Sequence, residues 1–82
     1  MKTPGTIILY GRHDCRDCQS IKNFLDVHGI PYLYIDIDEH PSAALEVTNQ
    51  TNGYQKIPLL VFPDKTVLIE PNIEEIEEKI KG

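Results

Sequence analysis

The sequence predicts an α/β fold, a four-stranded mixed sheet flanked by three helices in the order βαβαββα, within a single domain over residues 1–82. Three observations predict it. The apolar run Thr6-Ile7-Ile8-Leu9-Tyr10 leads directly into Gly11-Arg12-His13-Asp14-Cys15-Arg16-Asp17-Cys18, and a helical pattern follows. A second β-rich segment, Tyr32-Leu33-Tyr34-Ile35-Asp36-Ile37, comes after that helix. A strand–helix–strand order implies a right-handed crossover and parallel pairing. Near the C-terminus, two shorter strand signals and a last helix complete the order.

Each element has a local reason. Residues 6–10 are continuously apolar, which suits a central strand covered on both faces. The first helix is expected from Cys15 or Arg16 to His28, with Ile21, Phe24, Leu25 and His28 on one face. Gly29 fits the position just past its end, where a left-handed backbone favours glycine. Residues 32–37 form the second strand. Asp38-Glu39-His40-Pro41 opens the second helix, with Pro41 at its first position. Ala43, Ala44, Leu45, Val47 and Thr48 carry its interior, and Asn52-Gly53 ends it. Lys56-Ile57-Pro58-Leu59-Leu60-Val61-Phe62 is an apolar strand with a proline at its mouth. Pro63-Asp64-Lys65 is a turn, and Thr66-Val67-Leu68-Ile69 a short fourth strand. Asn72 is an N-cap, Glu75 completes a capping box, and Ile73, Ile76 and Ile80 form the stripe of the last helix.

Composition narrows the function. The chain has 82 residues, 40% apolar and 26% charged, which reads as one ordinary globule. Its net charge of −5 comes from 13 acidic and 8 basic residues. That disfavours nucleic acid, which needs a basic patch, and anionic membranes. No apolar run approaches the length of a membrane span, and the run after Met1-Lys2-Thr3-Pro4-Gly5 is too short for a signal peptide. Two cysteines without a leader predict the reducing cytoplasm. A monomer is expected.

The chemistry sits in Cys15 and Cys18, the only cysteines. A strand that turns into a helix places them where free backbone N–H groups and a partial positive charge lower a thiol pKa. Cys18 lies one turn on, within reach of Cys15. One sulfur can attack a disulfide and the other can resolve the mixed disulfide. A zinc site would need two further ligands, and His13, His28 and His40 do not supply the usual pair spacing, so no metal is expected. A structural disulfide would close a tiny loop and contribute little. Pro58 has two readings. A trans proline would simply start a strand; a cis proline would leave the Ile57 backbone facing the thiols, open to an extended substrate pairing as an extra strand. The upstream Cys-x-x-Cys favours cis.

These motifs resemble the glutaredoxins of the thioredoxin fold over nearly the whole chain. The resemblance rests on Cys15-Arg16-Asp17-Cys18 at the helix start, on Gly29-Ile30-Pro31-Tyr32, and on Lys56-Ile57-Pro58. Within the family the chain is most similar to small mycoredoxin-like and NrdH-like redoxins, through Asn52-Gly53-Tyr54-Gln55-Lys56-Ile57-Pro58 and residues 62–72. The resemblance implies a dithiol thiol–disulfide oxidoreductase with Cys15 as nucleophile, Cys18 as resolving thiol and Pro58 in cis. Arg12 falls where many members carry a lysine that holds the thiolate; it reads equally as a solvated loop cation. Arg12, Ile57, Pro58 and Asn72 are the expected substrate-binding residues. No bound cofactor is implied. The expected partners are disulfide-containing proteins and, as electron donor, glutathione, another small thiol or a thioredoxin-reductase-type flavoprotein. The alternative is a redoxin module that binds a metal or an iron–sulfur cluster.

Three features depart from the family pattern. Arg16-Asp17 replaces the common Pro-Tyr. Asp14 and Asp17 add charge that raises a thiol pKa against the helix dipole, Arg12 and Arg16; the positive contributions are expected to win by a reduced margin. Ile69-Glu70-Pro71-Asn72 stands where glutathione-binding members carry Gly-Gly. Glycine permits a close backbone approach that Glu70 and Pro71 do not.

Overall fold

The computed structural model of the chain describes residues 6–53 and 56–81. The N-terminal Met1-Lys2-Thr3-Pro4-Gly5 and the motif residues Tyr54 and Gln55 lie outside the described residues. The elements are β1 (Ile7–Gly11), α1 (Arg16–Val27), β2 (Tyr32–Asp36), α2 (Pro41–Gln50), β3 (Leu59–Val61), β4 (Val67–Ile69) and α3 (Ile73–Lys81). The order matches the expected βαβαββα. The strands form one mixed sheet in the spatial order β2-β1-β3-β4. β1 pairs in parallel with β2, and β3 is antiparallel to both β1 and β4.

Alternation along β1 divides the core. Ile7 and Leu9 point to one face, where they pack with Ile21 and Leu25 of α1, Leu60, Phe62, and Ile76 of α3. Tyr10 points to the other, with Ile37, Leu59, and Ala43 and Val47 of α2. Both faces of the central strand are therefore covered, which explains its unbroken apolar run. Each fully buried leucine or isoleucine contributes about 1.5–3 kcal/mol, so α1, with Ile21 and Leu25 both buried, is the better anchored of the first two helices.

Some boundaries differ from expectation, each for a local reason. β1 runs one residue further, because Gly11 still pairs with Asp36 and its carbonyl accepts the Ile37 N–H at 2.9 Å. β2 ends at Asp36 rather than residue 37, since the Asp38 N–H turns back onto the Asp36 carboxylate at 2.8 Å. β3 covers only Leu59–Val61; the Ile57–Pro58 peptide bond is cis, and the strand begins after it. Leu45 is exposed on the outer side of α2, where only Ala43 and Val47 are buried. The helix ends agree well. Gly29 adopts φ +65° after α1, and Pro41 opens α2. Asn72 and Glu75 form the reciprocal cap of α3, with Glu75 N–H on Asn72 Oδ1 at 2.8 Å and Asn72 N–H on Glu75 Oε1 at 2.9 Å.

Candidate functional site

The two cysteines sit at the C-terminal end of β1, where the chain leaves the sheet and enters α1. Cys15 is the N-cap of α1, and its Sγ accepts the Cys18 N–H at 3.1 Å. That is the position at which a helix offers unpaired N–H groups and positive potential to an anionic sulfur. The two residues are joined in a disulfide with Cα atoms 5.2 Å apart. They are not equivalent. Cys15 is partly exposed, whereas Cys18 is wholly buried under the first turn of α1. An incoming group can therefore reach the first sulfur and not the second.

The loop that carries Cys15 is tied to the end of β2. Gly11 accepts from Ile37, Arg12 Nε donates to Asp38 Oδ1 at 3.0 Å, and His13 Nδ1 lies 3.7 Å from Asp36 Oδ2. Cys15 N–H closes the loop onto the Arg12 carbonyl at 3.2 Å. Burial pushes the Asp36 carboxyl up, but the backbone N–H groups of Asp38, Glu39 and His13, together with the His13 ring, hold it below its ordinary value. Asp36 is thus an ionised, buried anchor for the cysteine loop. Sequence reasoning placed it only within β2; the available signal was a carboxylate at the end of an apolar strand beside a parallel partner. Arg12 keeps company with a carboxylate as well as with the loop, so its cation is shared. Asp14 and Asp17 are exposed, where water weakens their effect on the sulfurs.

The floor of the site is Gly11. A Cβ there would meet Cys18 Sγ at 2.6 Å, Cys18 Cβ at 3.1 Å and Tyr34 Cε1 at 3.2 Å. The Tyr34 ring lies under α1 with Lys22 Nζ 4.2 Å from its centroid. Its hydroxyl is buried and has no hydrogen-bond partner among the described residues.

The remaining sequence-predicted residues gather at the same edge. Leu59 pairs with Tyr10, one residue before Gly11, so the antiparallel register sets Ile57 and Pro58 beside the end of β1 that bears the cysteine loop. Pro58 is fully buried and Ile57 partly exposed. Ile69 pairs with Leu59, and Glu70 N–H donates to the Pro58 carbonyl at 2.8 Å, so Glu70, Pro71 and Asn72 follow on from Pro58. Glu70 adopts φ +49°, a left-handed conformation that favours glycine. Asn72 is exposed, and its side-chain oxygen is engaged in the α3 cap, which leaves its amide nitrogen as the donor. Among the described residues no three His, Cys, Asp or Glu side chains are grouped to hold a metal ion. Among them, too, no helix is long and apolar enough to cross a membrane.

A Cys-x-x-Cys at a strand-to-helix turn, on a β2-β1-β3-β4 sheet with helices on both faces, defines a thioredoxin-like fold with a dithiol site. Comparison with known proteins agrees. The chain superposes on a glutaredoxin from Archaeoglobus fulgidus with a TM-score of 0.80 at 24% identity, covering 96% of this chain and 89% of that one. It superposes on the thioredoxin-like protein BC3987 with a TM-score of 0.78 at 25% identity, covering 89% and 97%. In sequence it is 27% identical over 76 residues to Rv3198A of Mycobacterium tuberculosis, which is named as a glutaredoxin, covering 93% of this chain and 90% of that relative. It is 29% identical over 58 residues to the glutaredoxin-like protein NrdH of Escherichia coli, covering 71% and 69%. The glutaredoxin family model matches residues 7–67. The chain belongs to the glutaredoxin family, and it is a thiol–disulfide oxidoreductase.

Proposed function

We propose that this protein reduces protein disulfides, or mixed disulfides between proteins and small thiols, by a dithiol mechanism with Cys15 as nucleophile and Cys18 as resolving thiol. The observation that carries this reading is the asymmetry of the pair: Cys15 caps α1 and is partly exposed, and Cys18 is buried behind it. The Cys15 thiolate attacks one sulfur of the substrate disulfide, and the other sulfur leaves as a thiolate that takes a proton from water. The Cys18 thiolate then attacks Cys15 Sγ. The second substrate sulfur leaves and is protonated in turn, and the two protein sulfurs form the disulfide. Two electrons pass from the protein dithiol to the substrate. A small thiol or a flavoprotein must return them.

The substrate would lie along Ile57, which precedes β3 and belongs to no strand, with Pro58, Arg12 and Asn72 around it. An extended segment pairing there uses the backbone for affinity. The favoured electron donor is a thioredoxin-reductase-type flavoprotein rather than glutathione. Glu70 holds a glycine-like backbone while carrying a side chain, and Pro71 beside it is buried, which removes the close approach a tripeptide would use. The proposed setting is the cytoplasm, with the protein acting as a monomer that needs no bound cofactor.

Two measurements test this. Cys15→Ser should abolish disulfide reduction, and Cys18→Ser should accumulate a mixed disulfide detectable by mass spectrometry; retained turnover in Cys15→Ser would overturn the mechanism. The oxidised protein should be reduced by NADPH with thioredoxin reductase and not by NADPH with glutathione and its reductase. Turnover with glutathione would show that Glu70 and Pro71 do not close the tripeptide site.

A further inference from the structure

The charges around the exposed sulfur are unbalanced. Asp14 precedes Cys15, Asp17 lies in the first turn of α1, and Glu70 follows β4; all three are exposed. The cysteine loop follows β1, Ile57 and Pro58 precede β3, and Glu70 follows β4. In the sheet order β1-β3-β4, the Ile57–Pro58 segment therefore lies between the cysteine loop and Glu70. The Glu70 N–H on the Pro58 carbonyl, at 2.8 Å, fixes that placement. Among the described residues none of the three carboxylates forms an ion pair. The cations at this edge are Arg12, Arg16 and Lys56. Arg12 is bound to Asp38 at 3.0 Å, and Lys56 has interactions of its own. Arg16, exposed beside Cys15, offsets one carboxylate of the three. Glu70 also sits at φ +49°, where glycine is unstrained and a glutamate is not. Its bond to Pro58 is made by the backbone, so the turn requires the N–H and not the carboxylate.

We propose that Glu70, acting with Asp14 and Asp17, determines specificity: the protein reduces disulfides carried on basic, extended polypeptide segments in preference to acidic ones. A substrate strand pairing along Ile57 brings the residues beside its cysteine between Glu70 on one side and the cysteine loop on the other. Neighbouring strands lie about 4.8 Å apart, and charges act over roughly 10 Å at 0.1 M salt. Both acidic sides are therefore felt at the mouth of β3. Water weakens each exposed charge, but an incoming cation meets several of one sign. Such complementarity acts on encounter and on the choice of partner more than on the chemical step. The net charge of −5 on the whole chain acts in the same direction. The inference names the substrate class for the dithiol mechanism proposed above and rests on it.

The test uses the dithiol form of the full chain and two synthetic peptides, each with one intramolecular disulfide. The peptides are identical except for lysine or glutamate beside each cysteine. Two electrons pass from the Cys15–Cys18 dithiol to the peptide, and loss of the peptide disulfide in a single turnover is followed by chromatography after acid quenching. Each rate is divided by the rate of the same peptide with dithiothreitol, which removes the peptide's own reactivity. At low salt the lysine peptide should react about tenfold faster than the glutamate peptide. The ratio should shrink toward one in about 1 M salt, where charges act over only about 3 Å. Glu70→Gln should lower the low-salt ratio about twofold, and adding Asp14→Asn and Asp17→Asn should lower it further. A change in Cys15 ionisation in these variants affects both peptides alike and cancels in the ratio. Equal rates for the two peptides, a preference that salt does not weaken, or a ratio unmoved by the three substitutions overturns the proposal. Reduction of both peptides at equal rates overturns the specificity alone and leaves the dithiol mechanism standing. Reduction of neither overturns the mechanism and the specificity with it.

Discussion

Gly11 is where a single missing side chain decides the geometry of the site. Its backbone φ is not the reason for glycine; space is. A Cβ would stand 2.6 Å from Cys18 Sγ, far inside van der Waals contact. A free cysteine could rotate away, but in the oxidised protein that sulfur is held by its bond to Cys15. Overpacking a closed interior costs about 1–3 kcal/mol. Gly11→Ala should therefore lower the stability of the disulfide form by about 1–3 kcal/mol, read from the midpoint of urea unfolding, and lower the dithiol form by less. Equal losses in the two forms would show that Cys18 is not the group that resists. The same residue explains why the site was only partly legible. Cys15 and Cys18 announced themselves by spacing and by their place between an apolar run and a helix. Tyr34 did not, because a tyrosine in a strand reads as core, and nothing in the sequence brings it against Gly11 before the sheet register is known.

Among the elements, the helices with explicit end signals were read well and the short strands less well. Pro41 at the start of α2, Gly29 after α1 and the Asn72–Glu75 pair at α3 are local signals, satisfied within a turn of themselves. β3 and β4 are three residues each, and their limits depend on partners distant in sequence. The anchorage of the helices is also unequal. α1 buries Cys18, Ile21 and Leu25; α2 buries only Ala43 and Val47, leaves Leu45 exposed, and begins at His40 without a side-chain cap. Ala43 contributes little apolar area, so local opening of α2 should cost less than opening of α1. Native-state hydrogen exchange should show the amides of α2 exchanging well before those of the middle of α1. Equal protection in both helices would mean that α2 opens only with the whole domain.

At the scale of the whole molecule, two carboxylates join parts of the chain that the sheet does not. Asp36 ties the cysteine loop to the turn after β2. Asp64, in the turn between β3 and β4, pairs with Lys79 near the end of α3 and accepts the Thr66 N–H at 3.0 Å. The Lys79 ammonium first, and then Thr66, lower the Asp64 carboxyl from its ordinary 3.8 to about 2. The sign follows from linkage. A carboxyl with a depressed value in the folded state stabilises the fold at any pH above its unfolded value, and that contribution disappears as pH falls through the folded value. For Asp64 the window opens at 3.8 and closes near 2, and Asp36, also lowered, acts in the same direction. Both groups are ionised at neutral pH, so neither gives a pH dependence there. Thermal melting followed downward in pH should hold steady until the carboxylate range and then fall. Asp64→Asn should make that acid limb shallower while lowering the plateau at neutral pH slightly, since the pair is partly exposed and water screens it. An acid limb of unchanged steepness in Asp64→Asn would mean that the link between the β3–β4 turn and α3 carries no stability. The redox site would stay intact in that variant, because Asp64 lies at the end of β3 opposite to Pro58, and disulfide reduction at neutral pH should match that of the unaltered protein.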